Sequence, residues 1–156
     1  MAGGDIYEVA QKLQKDSIAM ALYRNSEGKF LICKTPYFNQ YTLPCTPIDE
    51  SQSVTYFLNP ILENEFNIVP MITDYIETTR GVYLKDGTLS LGNIICIKYK
   101  DYSRALNTID SNIMDSIIYN EKQYITYEQA LDLYKTNQLS TYSMYCIERE
   151  FNSMEG

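Results

Sequence analysis

The stretch from Leu43 to Ile68, "LPCTPIDESQSVTYFLNPILENEFNI", decides how the rest of the chain is read. Within it Val54, Phe57, Leu58, Ile61 and Leu62 recur at spacings of three and four, which marks one apolar stripe of a helix. Ser53 stands where an N-cap belongs, because its hydroxyl can accept from an unpaired first-turn N–H. Pro60 interrupts the pattern: inside a helix it removes one backbone donor and crowds the preceding turn. Asn59 followed by Pro60 also reads as a cap and a first helical residue. The spacing therefore predicts a kink or restart there, with the regular part running from Pro60 to about Phe66. Asn67 follows the last turn, and Asn is the usual substitute for Gly where a helix ends in the left-handed conformation.

Working outward, "SIAMALYRNSEGKFLICKT" contains two β-type runs, Ser17 to Tyr23 and Lys29 to Lys34, separated by turn-forming residues, and predicts a hairpin. "TDYIETTRGVYLKDGTLSLGNIICIKYK" predicts a second, with Asp86-Gly87 supplying the positive φ values of a tight turn. Its arm "LGNIICIKY" is apolar enough for a central strand. The polar segment "DYSRALNTIDSNIMDS" reads as a loop with a helical turn. After it, Tyr124 and Ile125 form a short strand, Thr126 and Gln129 are spaced as a capping box, and Ala130, Leu131, Leu133 and Tyr134 suggest an amphipathic helix. A last helix is expected from about Thr141 to Phe151. Hairpins with helices between them indicate a mixed α/β sandwich, not a parallel doubly wound fold.

Composition limits what such a sandwich can do. A chain of 156 residues, 45% hydrophobic and 21% charged, suits one globular domain spanning residues 1–156, with its own core. A net charge of −7 argues against binding the nucleic-acid backbone, which needs clustered Lys and Arg. The four cysteines, Cys33, Cys45, Cys96 and Cys146, are scattered, and no His completes a Cys/His metal site. They read as reduced, mostly buried thiols of a cytoplasmic protein. No apolar run approaches the length of a membrane span, and the first twenty residues do not resemble a secretory signal. Without His, acid–base chemistry falls to carboxylates, Lys, Tyr or Cys. The 15 tyrosines fit half-buried strands and do not by themselves mark a nucleotide site.

The opening stretch resembles the signature of the Nudix (MutT-like) hydrolases, in which "W-x-L-P-G-G" leads into G-x5-E-x7-R-E-U-x-E-E-x-G-U, U being bulky and aliphatic. Tyr41, Leu43 and Pro44 match the lead-in, with Cys45 and Thr46 at the two glycines. Residues 46–68 then align without a gap as a degenerate box. Gln52 falls on the loop glutamate, and Pro60 and Ile61 replace the Arg-Glu pair. Leu62 keeps the aliphatic position, Asn64 and Glu65 fall on the two consecutive glutamates, and Asn67 and Ile68 close the box. The resemblance implies a Nudix-like α/β/α sandwich with a mixed, hairpin-rich sheet, and extends in element order over the whole chain.

In a working box three carboxylates share one helix face and hold divalent cations against a pyrophosphate, where the metal activates water. Here those positions read Ile61, Asn64 and Glu65, so one carboxylate of three remains. By resemblance Glu65 is the catalytic and metal-ligating candidate, with Asn64 and Gln52 at degenerate ligand positions and Mg²⁺ or Mn²⁺ the cation of an active protein. Glu121 precedes the late strand where the family places an acidic residue, making it a second catalytic candidate. Glu77, Asp49, Glu50 and Glu63 are further carboxylates, and all five, Glu121 included, are better read as solvated charges. Arg80 and Tyr41 are substrate-contact candidates, Arg80 also a partner for Glu65. Three functions follow from the resemblance. The first is a protein with lost or reduced hydrolysis that binds a nucleoside-diphosphate-type molecule or a protein partner. The second is an active pyrophosphohydrolase using Glu65 with carboxylates from outside the box, and the third a structural subunit with a filled pocket.

Overall fold

A computed structural model describes residues 17–48, 53–101 and 116–155. The segment read as a polar loop, together with Asp49, Glu50 and Gln52, lies outside the described residues, apart from its two ends. Seven strands and three helices are described, in two sheets. The strands are β1 (Ser17–Tyr23), β2 (Phe30–Lys34), β3 (Tyr41–Thr42), β4 (Cys45–Ile48), β5 (Pro70–Lys85), β6 (Thr88–Asp101) and β7 (Asn120–Ile125). The helices are α1 (Val54–Phe66), α2 (Tyr127–Lys135) and α3 (Thr141–Glu155). The larger sheet runs β4-β1-β6-β5, with β1 parallel to β6 and the other pairs antiparallel; the smaller runs β3-β2-β7.

β1 explains this arrangement. Its alternating residues supply two cores: Ile18, Met20 and Leu22 face one, Ala19, Ala21 and Tyr23 the other. A strand buried on both faces reads as a continuous apolar run, which is what Ser17–Tyr23 is. The first core also holds Met144 and Ile147 of α3, the second Leu58, Leu62 and Phe66 of α1. Ala19 and Ala21 leave room for α1 to come close.

The expected first hairpin is corrected here. The chain does turn over 24–29, where Asn25 Oδ1 accepts from Glu27 N–H (3.0 Å) and Lys29 N–H (2.9 Å). However, β1 and β2 share only the isolated bridge Arg24–Phe30 and then part into different sheets. Both are apolar on both faces (Phe30 and Ile32 toward one core, Leu31 and Cys33 toward the other), and each needs its own flanking strands. The second hairpin forms as expected. Asp86 and Gly87 take φ of 54° and 76°, Lys85 pairs Thr88, and β6 lies between β1 and β5.

α1 also differs from expectation. It begins at Val54, with Ser53 Oγ accepting from Tyr56 N–H (3.3 Å), and continues through Pro60 without a restart. Pro60 and Tyr56 are both exposed, so the carbonyl that loses its donor lies on the side open to water. The apolar stripe Leu58, Leu62 and Phe66 stays buried across the interruption. At the other end Asn67 sits at φ 55°, and Ile68 N–H donates to the Leu62 carbonyl (3.0 Å). The capping box of α2 forms as read, with Thr126 N–H donating to Gln129 Oε1 (2.8 Å) and Gln129 N–H to Thr126 Oγ1 (3.1 Å). α3 starts at Thr141 and runs to Glu155, four residues past the expected end.

The left-handed turn at Asn67 gives the first prediction. Asn67→Gly is expected to keep or slightly raise stability in urea unfolding, whereas Asn67→Val should lose about 1–2 kcal/mol because a β-branched side chain resists this conformation. Equal stability of the two variants would show that the turn does not hold the helix end.

Candidate functional site

α1 places the ligand positions of the box by its own periodicity. Leu58, Leu62 and Phe66 point into the core, while Ile61 and Glu65, four apart, lie half-buried along its flank. Ile61 packs against the second core, together with Val54, Ile95 and Tyr124. Glu63 and Asn64 are exposed. Ile61 therefore extends the core where a carboxylate was looked for, and Asn64 points to solvent.

Glu65 has a cation beside it already. The Lys122 ammonium from β7 donates to the Glu65 carbonyl (2.7 Å) and lies 3.4 Å from its carboxylate Oε2. It also sits 5.3 Å from the centre of the Phe66 ring. The Lys122 side chain is 1% exposed, against 30% for Glu65. A buried ammonium is costly unless paired and hydrogen-bonded. Here a carboxylate, a carbonyl at the negative end of a helix and a ring face all meet it. Arg80, considered as the partner of Glu65, is instead exposed on β5 and donates to Asn93 Oδ1 across the strand pair (3.3 Å).

The backbone next door turns Lys122 inward. Glu121 has φ 50°, a left-handed conformation unusual for a carboxylate residue, at an irregularity in the β2–β7 register between Ile32 and Lys34. Its own carboxylate faces outward, 3.0 Å from the Lys34 ammonium, with both side chains about half exposed. Lys34 lies over the Tyr41 ring, 4.9 Å from its centre, and the Glu121 hydrogen bond raises its pKa. The structure thus brings Glu121, Lys34 and Tyr41 together, and places Glu65 beside the residue that follows Glu121. It does not bring in Arg80. Gln52 lies outside the described residues, as does the side chain of Glu77.

A second group fills the space beside Cys45, at the first glycine position of the lead-in. The Tyr119 hydroxyl donates to the Cys45 carbonyl (3.0 Å), and its ring meets Phe66 edge-on at 5.6 Å. Burial pushes the Cys45 thiol up to about 12, against which its Thr35 and Thr42 hydroxyl neighbours act weakly. Burial likewise holds Tyr119 far above the ordinary phenol range. Tyr37 is raised by burial and by Cys45, with the Thr46 side chain acting against both. All four cysteines are free and buried. Neither Tyr119 nor Lys122 carries a sequence signal of its role. A Lys following an acidic residue before a strand reads as a surface charge.

Beyond Tyr37 the lead-in opens into a cavity of about 340 Å³. Its walls include Tyr37, Phe38, Tyr83 and Tyr142, with Asn39 and Gln40 at the loop. Aromatic faces beside amides suit a flat, polar ring.

Solved structures that share this arrangement identify the architecture. A NUDIX hydrolase from Nitrosomonas europaea superposes with a TM-score of 0.67 over 90% of each chain, at 10% identity. The chain has the Nudix fold. A C. elegans Ap4A hydrolase, solved as a binary complex, shares the Nudix fold at TM-score 0.58 and 14% identity, over 90% of this chain and 98% of that one. The NUDIX domain of Shewanella oneidensis NrtR, solved with ADP ribose, shares it at TM-score 0.61 and 14% identity, over 90% and 88%. Neither protein-family models nor curated proteins match the sequence.

The described residues at the Nudix helix do not fit a divalent cation. Ile61 offers carbon, Asn64 faces solvent, and the Glu65 charge is met by Lys122. Among the described residues no three carboxylates or cysteines are grouped to hold a metal.

Two predictions follow from this packing. Lys122→Met should lower stability by about 1–3 kcal/mol in urea unfolding, since it removes charge-assisted bonds to the end of α1. Glu65→Gln, which keeps the main-chain bond, should cost less than about 1 kcal/mol. Equal costs would place the interaction in the ion pair and not at the helix carbonyl. For pH, the folded Cys45 and Tyr99 groups are both pushed by burial to about 12, so the folded state keeps protons that the unfolded chain releases above about pH 9. Their contribution is complete below pH 9 and falls as pH rises toward 12, by up to about 1.4 kcal/mol per pH unit for each group. Urea midpoints from pH 7 to 11 check this, and a midpoint that holds constant through pH 11 would contradict it.

Proposed function

We propose that the chain is a single Nudix-fold domain, residues 1–156, that binds a nucleoside-diphosphate-type ligand and does not hydrolyse it. The observation that carries this reading is the buried Lys122 ammonium on Glu65. It puts one fixed positive charge where the fold's hydrolases need exchangeable cations and an activated water. An ammonium can neutralise a carboxylate, but cannot lower the pKa of a coordinated water. Glu65 then serves as the counter-ion of Lys122, and Glu121 as that of Lys34.

Ligand binding rests on the cavity beside Tyr37, whose aromatic walls and amides suit a nucleobase. The NrtR domain with ADP ribose supports the ligand class. In this reading the diphosphate lies toward Thr46, which Tyr37 reaches from the cavity. Tyr41 holds Lys34 at the adjoining edge, and Arg80, two residues along β5 from the cavity residue Val82 on the same strand face, contacts phosphate from the open side. Cytoplasmic placement fits the free thiols. Among the described residues no helix is long and apolar enough to cross a membrane.

The test is a chromatographic assay of ADP-ribose, dinucleotides, nucleotide sugars and nucleoside triphosphates with Mg²⁺ or Mn²⁺, beside calorimetric titration of the same compounds. The expected result is no turnover above the Glu65→Gln level, with saturable binding that weakens about tenfold in Phe38→Ala. Turnover that Glu65→Gln abolishes would make the protein a hydrolase instead. Neither turnover nor binding would leave a structural subunit whose old site is filled by Tyr119 and Lys122.

A further inference from the structure

A second cavity lies directly behind the first. It measures about 320 Å³ and is lined by Thr79, Ile94, Thr141, Tyr142, Tyr145 and Cys146, between the β5–β6 face and α3. Its character is different: the walls are largely aliphatic and aromatic, with a thiol, and the amides of the first cavity are absent from its lining. Tyr142 and Thr141 line both cavities, so the Tyr142 ring is the wall between them.

That wall is held at its tip. Val82 N–H donates to the Tyr142 hydroxyl (3.0 Å), and the hydroxyl end of the ring lies against Gly81. A Cβ at position 81 would stand 2.5 Å from Tyr142 Cζ and its oxygen, so only glycine lets the ring rest there. One hydrogen bond, the tilted Phe38 ring 6.1 Å away and a contact with bare backbone restrain the partition, while the surrounding core is fixed by buried Ile94, Cys146 and Tyr83. A side chain on a helix can swing about χ1 and χ2 more easily than a β-sheet can open.

We propose that the two cavities form one bipartite site with Tyr142 as its movable wall, and that its ligand is a nucleotide whose base carries an apolar substituent. This rests on the nucleotide reading above and adds the class of base. The order of the walls sets the orientation. Thr46 and Tyr37 are at one end, the aromatic cavity follows, and the apolar chamber lies beyond Tyr142. A diphosphate at the Thr46 end places the base between Tyr37, Phe38 and Tyr83, and whatever extends from the base passes Tyr142 into the chamber. Burying an apolar group of phenyl size in such a chamber is worth about tenfold or more in affinity.

The experiment compares ADP with N6-benzyl-ADP by calorimetry on the full chain, in wild type and in Thr79→Trp. Thr79 lines only the apolar chamber, is partly exposed on the edge strand β5, and is no part of the aromatic cavity, so Trp there fills the chamber and leaves the ADP site alone. A second readout is the rate at which N-ethylmaleimide modifies Cys146, the cysteine that lines the chamber, followed by peptide mass spectrometry. The expected result is N6-benzyl-ADP binding at least about tenfold tighter than ADP, with slowed Cys146 modification, and both differences lost in Thr79→Trp while ADP affinity is kept. ADP binding with no preference for the benzyl compound would overturn the bipartite site and leave the nucleotide reading standing. A preference that survives Thr79→Trp would also overturn it, because the benzyl group would then lie outside the chamber. Binding of neither compound would remove the nucleotide reading and this inference together.

Discussion

The structure depends on β1 being buried on both faces. A seven-residue strand that feeds two cores must have neighbours on both edges and helices on both sides, and each demand places a further element. β6 runs parallel along one edge over all seven residues of β1, and β4 pairs antiparallel along the other. β4 carries Cys45 and Thr46, so the lead-in to the box is set by the register Met20–Cys45 and Ala19–Thr46. The small faces of Ala19 and Ala21 then fix how near α1 can lie. The position of the candidate site is thus a consequence of core packing, and it survives when the chemical residues change.

The packing that bears on the candidate site lies at the C-terminal end of α1. In a helix that keeps one of three carboxylates, a divalent cation would be left with solvent and substrate for most of its ligands. Lys122 supplies the Glu65 carboxylate with a covalently attached cation. Its ammonium satisfies a helix-end carbonyl as well as the carboxylate, and ties β7 to α1 across the two sheets. Tyr119, three residues earlier, closes the space at Cys45 in the same way. Both residues come from one short segment, which packs this corner.

The fold was largely legible in the sequence, and the reasons are local. Asp86-Gly87 can do little but turn a hairpin, Thr126 and Gln129 satisfy each other's backbone donors, and Asn67 suits the left-handed end of α1. Those signals need only neighbours along the chain. The misreadings concern choices made in three dimensions. Whether Ser17–Tyr23 and Phe30–Lys34 pair over their length depends on competing strands far away in sequence, and β6 and β7 win. Pro60 was tolerated within α1 because the face it disrupts is the wet one, a fact set by packing. Lys122 was invisible for the same reason: its inward direction comes from the left-handed conformation of Glu121, and nothing in "NEKQYI" announces it.

This pattern separates two parts of the Nudix fold that functioning hydrolases use together. In the fold's hydrolases the metal corner at the corresponding helix depends on charge. The cavity between Tyr37, Tyr83 and Tyr142 depends on shape, and is built from β5, the loop after β2 and the start of α3, none of which belongs to the degenerate box. Gly81 belongs to this second part. It serves no turn, and its lack of a side chain leaves room for the Tyr142 ring and the Ile94 side chain that lie against it. Side chains fill the first corner, whereas a close-fitting glycine–tyrosine contact leaves two cavities open at the second. A scaffold under no demand but stability would gain by filling both, since each empty cavity forgoes packing contacts.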